Sequence, residues 1–448
     1  MKTEKKVIRD IEKLIIAEPD YWDFKDNSER AHIHNLIRYP ATMVPVMQSK
    51  LIELFVLHDK SIKVLLDPFM GSGTTIVEAN SKGLETIGID INPFAYLITC
   101  VKLTEIKLSV LDIKIKELLN KIYNKKDISF NYWFYKIDKW FKPDIINELS
   151  IIKANILEEK DLIYRRIFWV AFARVVQYSS NDRRSTFKLH AKPQNEIDSF
   201  NADIKSYFTK ALHEIRKLFE EYYNNVFRND CNVDLYCGDS IDILKEKISS
   251  SSVDIISTSP PYGDNATTVT YGQYSMLQLR WIPLEDLNIK FDEKLLDNYS
   301  SLDRNSLGGT SYTVKEIEDS DILSRSKTLN AIYLKLILRD NKKARKVVSF
   351  YMDYERTLVQ LFRVVKLHKY LVFTVGNRKV DGEIVRLDEV TIELCTHLGG
   401  QCVYKFERNI LNKQMPDKVS KLKNNKPVSS MKKETILIFV KSKLCNLN

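Results

Sequence analysis

The stretch from Lys63 to Asp90 constrains the fold of this chain more than any other. Lys63 to Leu66 reads as a short buried strand, Gly71 to Lys82 as a loop entering a helix, and Thr86 to Ile89 as a second strand that ends at Asp90. A strand–glycine loop–helix–strand run is a crossover, the connection that joins parallel neighbours in one sheet. The pattern resumes at Asp234 to Cys237 and Asp254 to Thr258, and again at Tyr370 to Val375 after a helix from Ser349 to Val365. A helix at Glu389 to Leu398 and strands near Gln401 to Glu407 and Thr435 to Val440 finish the chain. The fold class is therefore α/β, a doubly wound sheet with helices on both faces.

Two blocks interrupt this pattern. In residues 106–228 the apolar positions Ile204, Tyr207, Phe208, Ala211, Leu212 and Ile215 follow helical spacing, and Arg165 to Tyr178 is a nearly continuous apolar helix. Residues 283–345 read as polar and irregular around Leu307-Gly308-Gly309. The chain thus divides into 1–105, a helical inserted domain at 106–228, 229–282, a second insert at 283–345, and 346–448. With 44% apolar residues in 448, a sizeable core is available and global disorder is excluded. No apolar run approaches the roughly 20 residues of a membrane span, and Met1 to Asp10 has no signal-peptide core. The six cysteines show neither metal-ligand nor disulfide spacing, so we expect a reduced, cytoplasmic protein without a metal or a membrane partner. A net charge of +10 fits a polyanionic partner, although a coding bias toward lysine gives the same balance.

The run Asp67-Pro68-Phe69-Met70-Gly71-Ser72-Gly73-Thr74-Thr75 lets backbone approach a ligand closely and turns free N–H groups toward it at a helix start. Asp90 ends the next strand, where a carboxylate accepts from ribose hydroxyls. The loop lacks both GxGxxG and GK[ST], which argues against NAD and ATP and suits a nucleoside ligand without phosphate.

The second motif is Thr258-Ser259-Pro260-Pro261-Tyr262. Two prolines cannot continue a central strand, so the chain stops there with a hydroxyl and a carbonyl beside an aromatic ring. Acceptors next to a flat ring suit a planar base that carries an amine. The same two prolines also read as a plain strand terminator.

Together the two motifs resemble the DNA amino-methyltransferases, which move a methyl group from S-adenosylmethionine to an exocyclic amine. The fold this implies is a Rossmann-like methyltransferase sheet plus a mainly helical inserted domain. DPFMGSGTT is similar to the family's cofactor motif, and Ile89-Asp90-Ile91-Asn92-Pro93-Phe94-Ala95 to its ribose-binding motif. His34 to Pro45 resembles the N-terminal motif that lines the methionine end, and Gly238-Asp239-Ser240 the acidic motif for the adenine amine. Asp239 also reads as an ordinary helix cap. The cofactor-binding residues implied are Tyr39, Pro40, Pro45, Asp67, Pro68, Phe69, Gly71, Ser72, Gly73, Thr74, Asp90, Ile91, Asp239 and Ser240. The catalytic residues implied are Ser259, Pro260, Pro261 and Tyr262. Serine in the first position resembles the cytosine-N4 branch; adenine-N6 enzymes usually carry Asp or Asn there. Methylation at cytosine carbon 5 needs a cysteine after a proline, and no cysteine here follows one.

The partner implied is double-stranded DNA, with a cognate restriction endonuclease as functional companion. Arg183, Arg184 and Lys188, at the end of an apolar helix, are the first candidates for DNA contact, and the loop Lys413 to Lys433 with Asn424 and Asn425 is the next. Both runs also read as solvated charged faces. The large insert precedes the Asp239 motif rather than following it, which departs from the family arrangement and leaves its role in target recognition open. The alternatives are an adenine-N6 DNA methyltransferase, an RNA guanine-N2 methyltransferase, and a non-catalytic DNA-binding subunit.

Overall fold

A computed structural model describes residues 3–25, 32–124, 132–183, 187–226, 230–265, 267–410, 418–421, 427–429 and 433–443. Arg184 and most of the 413–433 loop, including Asn424 and Asn425, lie outside the described residues.

The central sheet contains β1 (Val64–Asp67), β2 (Glu85–Asp90), β3 (Val233–Cys237), β4 (Val253–Thr258) and β5 (Val365–Val375). A hairpin of β6 (Arg378–Val380) and β7 (Glu383–Val385) follows, then β8 (Gly400–Asn409). A small ribbon of β9 (Lys418–Lys421) and β10 (Pro427–Ser429) leads into β11 (Lys433–Lys441). The sheet order is β3-β2-β1-β4-β5-β11-β8. The first five strands are parallel, and β11 runs antiparallel between β5 and β8. Chain order reverses between β1 and β4, and the crevice past the carboxyl ends at such a reversal is where open α/β sheets bind ligands.

Side-chain alternation explains why both faces are covered. Leu65, Ile255, Tyr370, Val372 and Ile436 point to the core shared with the helices Thr3–Ala17 and Pro45–His58. Their neighbours Leu66, Ile256, Leu371, Phe373 and Leu437 point to a second core under the helices Asn341–Val364 and Leu387–His397. A third core joins Phe94, Leu97, Ile98 and Val101 to the helices Leu108–Asn124, Pro143–Leu157, Leu162–Ser179 and Ile204–Asn225, around the fully buried Trp281. The apolar helix expected at Arg165 to Tyr178 lies inside Leu162–Ser179 and is buried along most of its length.

The block 283–345 is more regular than its composition suggested. It holds the helices Ser301–Asn305, Val314–Glu318, Ile322–Arg325 and Lys327–Ile337. Thr313 and Glu316 form a capping box at the second of these, a signal present in the sequence as Thr-x-x-Glu. The helix expected from Ser349 begins at Asn341; its charged first turns still bury Ala344, Val347 and Val348.

The glycine loop is held from several sides. Gly73 has φ +78° and caps the helix Thr74–Ser81; a Cβ there would stand 2.6 Å from Thr99 Cγ2 and 2.7 Å from Thr99 Oγ1. Thr99 is fully buried and its hydroxyl donates to Ala95 O, so it cannot swing away. Gly73→Ala should therefore destabilise the protein by about 2–4 kcal/mol through left-handed backbone and overpacking, read as a lower Tm. A Tm equal to wild type would contradict this reading.

Candidate active site

A cavity of about 1480 Å³ opens over the carboxyl ends of β1, β2 and β4. It exceeds the roughly 300–1,000 Å³ of a single small-ligand pocket. Its wall carries Tyr39, Pro40, Pro45, Phe69, Gly71, Ser72, Thr74, Asp90, Ile91, Asp239 and Ser240 on one side and Ser259, Pro260, Pro261 and Tyr262 on another. Of the expected residues, Asp67, Pro68 and Gly73 are not at the wall. Asp67 is fully buried, and its Oδ1 accepts from Thr258 Oγ1 at 2.6 Å and from the Phe69 N–H at 3.1 Å. It ties the glycine loop to the strand that carries the Ser-Pro-Pro-Tyr turn, and burial raises its pKa to about 6.

Asp90 shapes the loop it faces. One carboxylate oxygen accepts from Gly71 N–H at 2.9 Å and the other from Asn92 N–H at 2.8 Å. Burial nevertheless raises its pKa to about 6, the two N–H groups pulling the other way. Each oxygen has a second lone pair, so the carboxylate remains able to take ribose hydroxyls. Lys102, buried on the helix Pro93–Leu103, donates to Ser72 O at 2.6 Å and fixes the turn from behind. Ser240 Oγ donates to Pro68 O at 2.6 Å. Asp239 caps the helix Ser240–Lys247 by accepting from the Ile241 and Asp242 N–H groups, so the cap reading of this residue holds and the same residue lines the cavity. Burial raises its pKa as well.

Asn92 is a hub that sequence reasoning did not single out. Its Oδ1 accepts from Phe94 N–H, and its Nδ2 donates to Tyr39 OH at 3.1 Å and Ser275 Oγ at 2.8 Å. It thereby joins the His34 to Pro45 segment, the Asp90 turn and the helix Tyr271–Trp281. Tyr39 stacks on Tyr271 with ring centroids 5.9 Å apart. The helical insert holds the same segment: Arg174 donates to Leu36 O and Asn35 O at 2.7 and 2.8 Å.

The second insert reaches the cavity through Leu302, Asp303, Ser306 and Leu307. Asp303 accepts from the Gly272 and Gln273 N–H groups at 2.8 and 3.0 Å, a carboxylate at the N-terminus of Tyr271–Trp281 where the helix dipole favours it. After the Ser-Pro-Pro-Tyr turn, Thr267, Thr268 and Tyr271 line the cavity, while Gln273 and Tyr274 do not. Tyr274 instead donates to Arg38 O at 2.8 Å. Arg183 and Lys188 are exposed, and neither lines the cavity. Phe187 is on the wall, and its carbonyl oxygen accepts from Thr270 Oγ1 at 2.8 Å.

At the turn itself, Ser259 Oγ lies 3.2 Å from Tyr262 OH, and Tyr262 OH donates to Glu434 Oε1 at 2.9 Å. Glu434 on β11 is paired to Arg408 on β8 at 2.7 Å. Glu434 and Arg408 both line the cavity, and no sequence motif marks them. Among the described residues no cluster of His, Cys, Asp or Glu could hold a metal ion, and no helix is long and apolar enough to cross a membrane.

Comparison with known proteins adds the family. A model of the N6/N4 methyltransferase type, described as DNA methylase, matches residues 2–100. The type II methyltransferase M.MvaI of Kocuria varians is 33% identical over 432 residues, 92% of this chain and 92% of that protein. M.BsoBI of Geobacillus stearothermophilus, also a type II methyltransferase, is 25% identical over 89% of this chain and 84% of its own length. M.MjaII of Methanocaldococcus jannaschii, another, is 38% identical over 114 residues, 25% of this chain and 20% of its own length. The chain belongs to the type II DNA methyltransferases of the amino-methylating family, which draw their methyl group from S-adenosylmethionine.

Proposed function

We propose that this protein methylates the exocyclic N4 amine of cytosine in a base turned out of double-stranded DNA. The observation that carries the reading is the Ser259-Pro260-Pro261-Tyr262 turn, held against the glycine loop by Thr258–Asp67 and open to the same cavity as Asp90. The cavity volume suits a nucleoside cofactor and a base together.

The wall fits the cofactor chemically. The loop presents Gly71, Ser72 and Thr74 with no lysine or arginine toward the cavity, as suits a ligand without phosphate, and an added Cβ at Gly71 would fall 3.8 Å from Tyr39 Cε1, in the space between loop and ring. When bound, S-adenosylmethionine supplies a methyl group on a sulfonium, an electrophile with a neutral leaving group. The chain's own part concerns the amine. Its lone pair is delocalised into the ring; the Ser259 hydroxyl and the Pro260 carbonyl accept from its N–H bonds and free that pair. With the cofactor bound, the freed pair would take the methyl carbon, the carbon–sulfur electrons would stay on the neutral thioether, and the surplus amine proton would pass to solvent. Alignment supplies most of the acceleration. The ring of Tyr262 stacks on the base and offsets part of the few kcal/mol that extrusion costs. Asp90 takes the ribose hydroxyls and Asp239 the adenine amine.

Arg183, Arg184 and Lys188 contact the DNA backbone in this account. We place the enzyme in the cytoplasm, with a restriction endonuclease of the same specificity as its functional companion. Incubating the protein with labelled S-adenosylmethionine and mixed duplex DNA and RNA, then digesting each polymer separately, tests the substrate class. Label in the DNA fraction is expected; label confined to RNA would overturn it.

A further inference from the structure

The hydroxyl of Ser259 has one proton and two lone pairs, and it helps an amine only when the lone pairs face the base. Where that proton goes is decided by residues on the far edge of the sheet. Arg408 is almost fully buried and permanently cationic; its Nε donates to Trp22 O at 3.0 Å and its Nη1 to Glu434 Oε2 at 2.7 Å. Glu434, as a carboxylate on this guanidinium, only accepts. The single proton of Tyr262 therefore goes to Glu434 Oε1, 2.9 Å away, and the phenol oxygen is left to accept from Ser259 at 3.2 Å. Burial and the nearby Glu434 charge hold the Tyr262 phenol well above its ordinary pKa, so the donor stays protonated.

We infer that Glu434 and Arg408 are positioning residues: through Tyr262 they draw the Ser259 proton away from the base and fix its lone pairs on the target amine. The inference rests on the proposed role of Ser259. It gives the tyrosine hydroxyl a task that stacking alone does not require. It also explains why an antiparallel strand from the chain's C-terminal end has a glutamate facing this cavity, and why β8 is fastened to the N-terminal turn: Asn409 N and Nδ2 donate to the two Asp23 carboxylate oxygens at 2.6 and 2.8 Å.

The test measures single-turnover methyl transfer at saturating cofactor and DNA for Tyr262→Phe, Glu434→Gln and the double variant, with cofactor Kd and Tm alongside. Tyr262→Phe keeps the ring and removes only the relay. Each single variant should slow transfer roughly tenfold to a hundredfold with cofactor Kd unchanged. The double variant should be no slower than the slower single one, because both break one chain of bonds. Transfer by Tyr262→Phe within twofold of wild type overturns the relay, and so does a double variant whose losses multiply. Ser259→Ala, run in parallel, separates the two claims. If it is slow while Tyr262→Phe is fast, the relay falls and the role of Ser259 stands; if Ser259→Ala is as fast as wild type, both fall.

Discussion

Replacing Ser259 by alanine should slow methyl transfer about 10²–10³-fold, the loss expected when one preorganised polar contact to a reacting group is removed. Cofactor affinity should stay within about twofold of wild type, since an interaction made only as the amine becomes tetrahedral lowers the turnover rate rather than binding. The fold should not suffer. Ser259 is only partly buried and follows the last residue of β4, and its hydroxyl donates to Tyr262 OH. Single-turnover kinetics with an independent cofactor titration reads both quantities. An unchanged rate would remove Ser259 from the chemistry.

The second large effect is on cofactor binding. Asp90→Ala removes the acceptor proposed for the ribose hydroxyls and leaves the Gly71 and Asn92 N–H groups without partners. Two lost hydrogen bonds to a charged group cost about 3 kcal/mol, so Kd should rise on the order of 100-fold. The pH dependence has a definite sign. The Asp90 pKa is raised to about 6 by burial, and only the carboxylate accepts from both hydroxyls. Affinity is therefore full above neutral pH and falls as pH drops through about 6, approaching tenfold per unit below it. Asp90→Asn should bind weakly with this dependence flattened. Isothermal titration between pH 7.5 and 5 checks it; a wild-type affinity constant across that range would contradict the role of Asp90.

The parts of this protein that local pattern determines were legible in its sequence. Buried strands one residue out of phase, such as Leu65 and Leu66, announce two covered faces. The glycine loop and the two prolines mark where backbone must leave regular structure. What the sequence does not display is which distant residues meet. Glu434 and Arg408 lie in a lysine-rich C-terminal stretch with no motif, and reach Ser259 because β11 inserts antiparallel beside β5. Asn92 stood inside a recognised motif, yet its role as a hub depends on Tyr39 and Ser275 arriving from opposite directions. Asp303 looks like one more surface acid until the fold lays it on the first turn of another helix. The helices of the second insert are hidden for a different reason: they are short, so period is faint, and the capping box at Thr313 is the stronger signal.

The central claim is that this cavity delivers a methyl group to an exocyclic amine, that of cytosine. Nucleoside analysis of DNA methylated by the purified protein with labelled S-adenosylmethionine tests it most directly. Label in N4-methylcytosine is the expected result. Label in N6-methyladenine would contradict the base assignment, and label in 5-methylcytosine would contradict the amine chemistry itself.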